Sequence, residues 1–346
     1  MFLVQTSVIV IGRNEGQRLV ACLESLCGYR AIYVDSASTD GSVELARSLG
    51  ADVVKLDMSR PFSAARARNE GFLRLREITP GMDYLQFVDG DCVVMAGWVE
   101  AAASFLDQNS GHAAVAGRLR ERFPDRSVYN RLCDLEWNTP VGDVSACGGI
   151  AMYRVDAFEK AGGFDETVVA GEEPELCLRL RNAGWKIRRL DVEMALHDAA
   201  MTRFGQWWKR AVRGGYGGMD VAVRFEKGEG AFSRQVSSAR LWAVGWPLVV
   251  LAITGTAWAL GGWRVAGLTA VLTLAALPMQ MARVGVKGFR KCGDARTAVA
   301  YGVLMMLSKW AHLQGQYRYW RDRREGRCLS LIEYKRPADK DAVAHV

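Results

Sequence analysis

Between Ser7 and Val88 the chain repeats one alternation: a short apolar run, a turn, a helical pattern, then another apolar run. Ser7-Val-Ile-Val-Ile11 is β-branched and unbroken, the pattern of a buried strand. Gly12-Arg13-Asn14-Glu15 ends it, and Leu19, Leu23 and Leu26 follow at helical spacing. Ala31-Ile-Tyr-Val-Asp35, Asp52-Val-Val-Lys-Leu56 and Tyr84-Leu-Gln-Phe-Val88 read as three further strands. Helices are predicted between them over 42–49 and 64–76, the first capped by the turn Ser36-Ala-Ser-Thr-Asp40-Gly41. Strand–helix–strand repeats need crossover connections. They therefore predict an α/β fold, a mostly parallel sheet with helices on both faces.

In such sheets, ligands bind at the carboxyl ends of the strands. Three of those ends carry polar groups: Arg13, Asn14 and Glu15 beyond Gly12, then Asp35, then Asp89 and Asp91. A nucleotide laid across the sheet would meet all three. Asp89-Gly90-Asp91 is the most specific of them. Two carboxylates one residue apart at the end of a buried strand supply hard oxygen ligands for Mg²⁺ or Mn²⁺, ions that also hold phosphates. Gly90 leaves room for a phosphate against the backbone. The same triplet occurs in ordinary surface turns, so its place after the strand series carries the reading. The glycine fingerprint of dinucleotide binders is missing, because the first turn offers only Gly12 and Gly16, and there is no P-loop.

From about residue 93 to 198 the pattern is mixed. A helix is predicted over 98–106 and a strand over 113–118. Cys147-Gly148-Gly149 and Gly162-Gly163-Phe164-Asp165 follow. Gly171-Glu172-Glu173-Pro174-Glu175 opens a helix that stops at Gly184. Proline suits a first helical turn, and acidic groups there favour the helix dipole, which alone would account for Glu172 and Glu173. His197 ends an apolar run. Gln206-Trp207-Trp208-Lys209-Arg210 and Arg213 follow it.

The apolar residues are unevenly spread. Neither 241–263 nor 265–282 contains a charge, and each is about long enough to cross a hydrocarbon core at roughly 1.5 Å per residue. A pair of buried core helices is the alternative. The net charge is +7, and basic residues crowd the flanks: Arg234 and Arg240 before, then Arg283, Lys287, Arg290, Lys291 and Arg296 after. Arg264 alone marks the turn. This pattern predicts a membrane hairpin with both outer ends, and the large N-terminal domain, in the cytoplasm. The charge then attracts anionic lipid, and no nucleic-acid motif accompanies it. The expected division is a cytoplasmic domain over 1–235 and a transmembrane hairpin over 236–290. An amphipathic, interfacial or third membrane helix is expected over 291–330, and a disordered tail over 331–346. Eight cysteines without a C-x-x-C pair or zinc spacing read as reduced thiols. The start, Met1-Phe-Leu-Val-Gln5, does not have the pattern of a signal peptide.

In this order, the motifs resemble the family-2 glycosyltransferases of the GT-A fold over roughly 5–216. Val34-Asp35-Ser36-Ala37-Ser38-Thr39-Asp40-Gly41 is similar to the family's V-D-[DS]-x-S-T-D-G signature, Ala67-Arg68-Asn69-Glu70-Gly71 to its A-R-N-x-G, and Asp89-Gly90-Asp91 to its D-x-D. Glu172-Glu173-Pro174-Glu175-Leu176 resembles E-D-x-[DE]-L, with Arg179 matching the arginine after it. The resemblance implies donor contacts from Gly12, Arg13, Asn14, Glu15, Asp35, Arg68 and Gly149, with Asp35 on the base. It also implies a divalent metal at Asp89 and Asp91, with His197 as an added ligand, and a catalytic base at Glu173 or its neighbour Glu172. The family usually has Asp where this chain has Glu173, one methylene longer. Gln206 to Arg210 only loosely resembles the Q-x-x-R-W box of processive synthases, which favours single-sugar transfer. Gln206, Arg210 and Arg213 are expected near the donor diphosphate.

The expected reaction is inverting transfer from a nucleotide sugar, with UDP favoured, to a lipid or lipid-linked glycan acceptor at the cytoplasmic membrane. A nucleotidyltransferase, or a membrane scaffold that binds sugar nucleotides without turnover, are the alternatives.

Overall fold

The computed structural model describes residues 6–226 and 230–326. The expectations for Met1–Gln5 and for the tail over 331–346 fall outside them. β1 (Thr6–Gly12) lies between β2 (Arg30–Asp35) and β4 (Tyr84–Asp89), with β3 (Asp52–Lys55) outside β2, and all four strands run parallel. Helices α1 (Gln17–Glu24), α2 (Ser42–Ser48) and α3 (Ala64–Ile78) make the crossovers. Val8, Ile9 and Val10 are fully buried, the burial expected of an unbroken apolar strand. Gly12 pairs with Asp35 and Ile11 with Asp89, so the register brings the three polar strand ends level on one edge.

The other half of the sheet is mixed. After β5 (Cys92–Val94) and α4 (Trp98–Gln108) comes β6 (His112–Glu121), longer than the 113–118 expected. Then follow α5 (Val128–Trp137), β7 (Gly142–Asp143), β8 (Ala151–Arg154), α6 (Val155–Lys160), α7 (Glu172–Asn182) and β9 (Lys186–His197). β8 is antiparallel to both β4 and β6, β9 is parallel to β6, and β5 and β7 are antiparallel to β9. The strand order is β3-β2-β1-β4-β8-β6-β9-β5.

The C-terminal part is helical: α8 (Phe204–Arg224), α9 (Ala231–Arg240), a π turn over Leu241–Gly245, α10 (Trp246–Leu274), α11 (Ala276–Cys292) and α12 (Ala295–Arg324). The helical run Ala231–Cys292 is long and apolar enough to cross a membrane, and none of its apolar window is buried. Gly262, with φ 73° and ψ −175°, breaks α10 between the two uncharged segments, two residues before Arg264. Leu251, Trp258, Leu260 and Trp263 stand exposed along it.

α12 falls where the interfacial or third membrane helix was expected. It packs along α8 and α11. The crossing with α8 is backbone against backbone. A Cβ on Gly315 would stand 2.2 Å from the Val212 carbonyl oxygen, and one on Gly215 would stand 2.3 Å from that of His312. Leu304, Met306, Ala311 and Tyr319 are buried along α12.

Candidate active site

Pairing of β5 with β9 sets Cys92 opposite His197, and so brings the end of the Asp89-Gly90-Asp91 turn to the histidine. His197 Nε2 lies 3.1 Å from Asp91 Oδ1. Asp91, Cys92 and His197 offer ligand atoms within 4.8 Å of one another. Without a metal, burial lifts the Cys92 thiol well above its usual range. Burial also pulls His197 down, against the upward pull of Asp89 and Glu121, and favours the neutral ring that ligates metals. Its Nδ1 is buried without a hydrogen bond, and the ring rests 4.5 Å from that of Trp137. These residues fit a divalent cation.

Asp89 turns the other way. Arg68, buried on α3, holds Asp89 Oδ1 at 3.0 Å through Nη2 and Glu172 Oε1 at 2.7 Å through Nη1. One guanidinium thus ties the metal-side turn to the acidic start of α7. Burial alone would raise the Glu172 carboxyl. Arg68, the amide at its own position and Arg213 outweigh it and hold the carboxyl below the usual range. Gly149 is required here, because a Cβ would stand 2.7 Å from Arg68 Nη2.

Gly171 caps α7 with φ 93°, a left-handed conformation that glycine adopts without strain. Glu172 and Glu173 then occupy the first turn as consecutive residues pointing apart. Glu173 Oε1 accepts from the Cys147 backbone N–H at 2.6 Å.

The nucleotide end is built from loops. Asp35 Oδ1 accepts from the Tyr33 hydroxyl and Oδ2 from the Ser38 N–H, both at 3.0 Å. Asn14, at φ 56°, donates its N–H to Ser38 Oγ and accepts from the Thr39 N–H, so it joins the first strand end to the second. Arg13 lies 4.6 Å over the Phe62 ring. Glu15 pairs with Arg18 at 2.9 Å, and Gly12 accepts from the Ser36 N–H at 3.0 Å.

A cavity of about 580 Å³ opens between α7, α8, α9 and α12. Glu172, Glu173 and Gly149 form one wall and Arg210 and Arg213 another. Arg210 is paired with Glu136 at 2.8 Å. Gln206 stands apart from the cavity lining. Its side chain caps α8, accepting from the Thr202 and Arg203 amides and donating to the Ala200 carbonyl. Arg179 is paired with Glu175 and donates to Gly163 O at 2.8 Å, which braces the glycine loop before α7. Sequence reasoning missed the cavity wall supplied by Phe232, Gln235, Met305, Ser308 and His312. The signal for it was the glycine set 214, 215, 217 and 218 on α8, which marks a close helix crossing.

A parallel half with polar strand ends, an Asp-x-Asp turn and an acidic helix start tied to that turn through Arg68 are the arrangement of the GT-A fold. Residues 7–162 match the family described as Glycosyl transferase family 2. The chain is 29% identical over 232 residues to the pre-mycofactocin glycosyltransferase of Mycobacterium tuberculosis, covering 63% of this chain and 47% of that protein. The chain thus spans about half the length of that relative. It is 24% identical over 230 residues to the glycosyltransferase AglE of Haloferax volcanii, covering 62% of this chain and 73% of that one. Among solved structures, the mannosyltransferase PcManGT of Pyrobaculum calidifontis, in complex with GDP-Man and Mn²⁺, shares the fold with TM-score 0.59 and 16% identity. That match covers 92% of this chain and 87% of PcManGT. The family match favours sugar transfer over the nucleotidyltransferase and scaffold alternatives.

Proposed function

We propose that this glycosyltransferase moves one sugar, with inversion, from a nucleotide-diphosphate sugar to a hydroxyl or phosphate on a membrane-associated acceptor. The observation that carries the reading is the Asp89–Arg68–Glu172 chain, which ties the D-x-D turn to the acidic helix start. Asp91 and His197 would hold Mn²⁺ or Mg²⁺, which when bound neutralises charge on the departing diphosphate. Glu173 accepts the proton of the attacking hydroxyl, on the face opposite the leaving group. A single base fits direct displacement, whereas double displacement needs a separate nucleophile. Arg210 and Arg213, which both line the cavity, would steady the diphosphate. Asp35 still has lone pairs for a base N–H, and the imide of uracil supplies one, which favours UDP.

The exposed apolar run Ala231–Cys292 supports membrane attachment. The basic residues on both its flanks support a cytoplasmic catalytic domain. α9 and α12 join that run to the cavity, which supports a lipid-linked acceptor presented at the membrane surface.

A thermal-shift panel on detergent-purified protein tests the donor half of this reading. It uses UDP, GDP, CDP and dTDP, with and without Mn²⁺, on wild type and Asp91→Ala. UDP with Mn²⁺ at about 100 times its Kd is expected to stabilise wild type by roughly 2.7 kcal/mol. Asp91→Ala is expected to lose the metal-dependent part. No shift with any nucleotide would overturn the reading.

A further inference from the structure

We propose that Cys147 and Cys177 are positioning residues that fix the Glu173 carboxylate for proton abstraction. This rests on Glu173 being the base.

Glu173 Oε1 receives three donors. The Cys147 N–H lies at 2.6 Å, the Cys177 thiol at 2.9 Å and the Cys147 thiol at 3.3 Å. The sulfurs are 3.6 Å apart, and the Tyr153 hydroxyl lies 3.3 Å from Cys147 Sγ. With both thiol protons directed to Glu173, the tyrosine donates to Cys147, and every proton in the cluster has an acceptor. Cys147, Cys177 and Tyr153 are buried. Burial lifts Cys177 and Tyr153 well above their usual ranges, so both keep their protons at neutral pH. Cys177 follows Glu173 by four residues on α7, which sets the two side chains on one helix face.

Saturating Oε1 divides the labour within the carboxylate. All three bonds fall on Oε1, and Glu173 lines the cavity, so Oε2 is the oxygen left for the acceptor's proton. The arrangement answers a physical need of this chain. Glutamate carries one more rotatable bond than the aspartate that the family usually has here, and a freely rotating base is seldom aligned. The two thiols and one amide remove that freedom. Serine, threonine or lysine donors would do the same work, but none of the hydrogen bonds on Oε1 comes from one.

The test compares Cys177→Ala and Cys177→Ser with wild type and Glu173→Gln. The probe is release of nucleoside diphosphate from UDP-glucose, UDP-N-acetylglucosamine and GDP-mannose with Mn²⁺, water standing in for the acceptor. Cys177→Ala should lower kcat roughly tenfold, the size of losing one hydrogen bond to a charged group, with the donor KM unchanged. Cys177→Ser keeps an O–H donor and should recover most of that loss. Equal kcat in Cys177→Ala and wild type would overturn the proposal. So would a Cys177→Ser variant that folds normally yet is no faster than Cys177→Ala. Should Cys177→Ala fail to fold, Cys147→Ala carries the same comparison with Cys147→Ser, because the backbone donor stays in place. The two readings fail separately. If Glu173→Gln turns over normally, the base assignment falls. If Glu173→Gln is inactive while the cysteine variants match wild type, only the positioning role falls.

Discussion

Glu173→Gln will bind the donor nucleotide as wild type does and lose sugar transfer by about 10²-fold or more, the usual cost of removing a general base. Glutamine has the same shape. Its amide oxygen still accepts from the Cys147 N–H, so the start of α7 and the loop before β8 stay in place. What it cannot do is take up a proton. The measurement pairs a thermal shift with UDP and Mn²⁺ against the rate of nucleotide release. Loss of the shift together with the rate would make Glu173 a scaffold for the Cys147 loop. Glu172→Gln is the contrasting variant. It weakens the contact with Arg68 and is expected to show first in stability.

Arg68→Met should cost roughly 3–5 kcal/mol of unfolding free energy, the penalty for breaking a buried ion pair from one side. The guanidinium is only 3% exposed and is shared by two carboxylates, so its removal leaves Glu172 in the interior with only the weaker pull of Arg213. Asp89 is more exposed, and solvent will screen its part. Denaturant midpoints in detergent measure the loss. The pair also has a pH signature. The folded Glu172 carboxyl sits below its ordinary 4.5, so its stabilising contribution is complete above that value. The contribution fades as acid carries the pH down through the folded value. Wild type should therefore lose more stability than Glu172→Gln as pH falls below 4.5. Equal losses would remove Glu172 from the account of acid sensitivity.

The parallel half was legible because burial on both faces leaves an unmistakable β-branched run, as in Val8 to Ile11. The D-x-D turn and the start of α7 were legible because their chemistry lies within a few consecutive residues. Arg68, expected at the donor, also joins residues 21 and 104 positions away. No local pattern records such a contact. Gln206 was expected near the diphosphate from a loose resemblance to the Q-x-x-R-W box, which carries no sign that its side chain also caps α8. β5 is three residues long and owes its existence to β9, so its own sequence carried no period to detect. The mixed half resisted reading for the same reason, since antiparallel partners arrive late in the chain.

The return of α12 onto α8 has a consequence for biosynthesis. Met305, Ser308 and His312 complete the cavity wall that Glu173 faces. In an elongating chain these residues emerge after the exposed apolar run has been made. The sheet half is made first, yet the cavity wall is completed only by α12. A nascent chain that already holds Glu173 therefore has an open cavity until α12 packs on α8, after the exposed apolar run has been made.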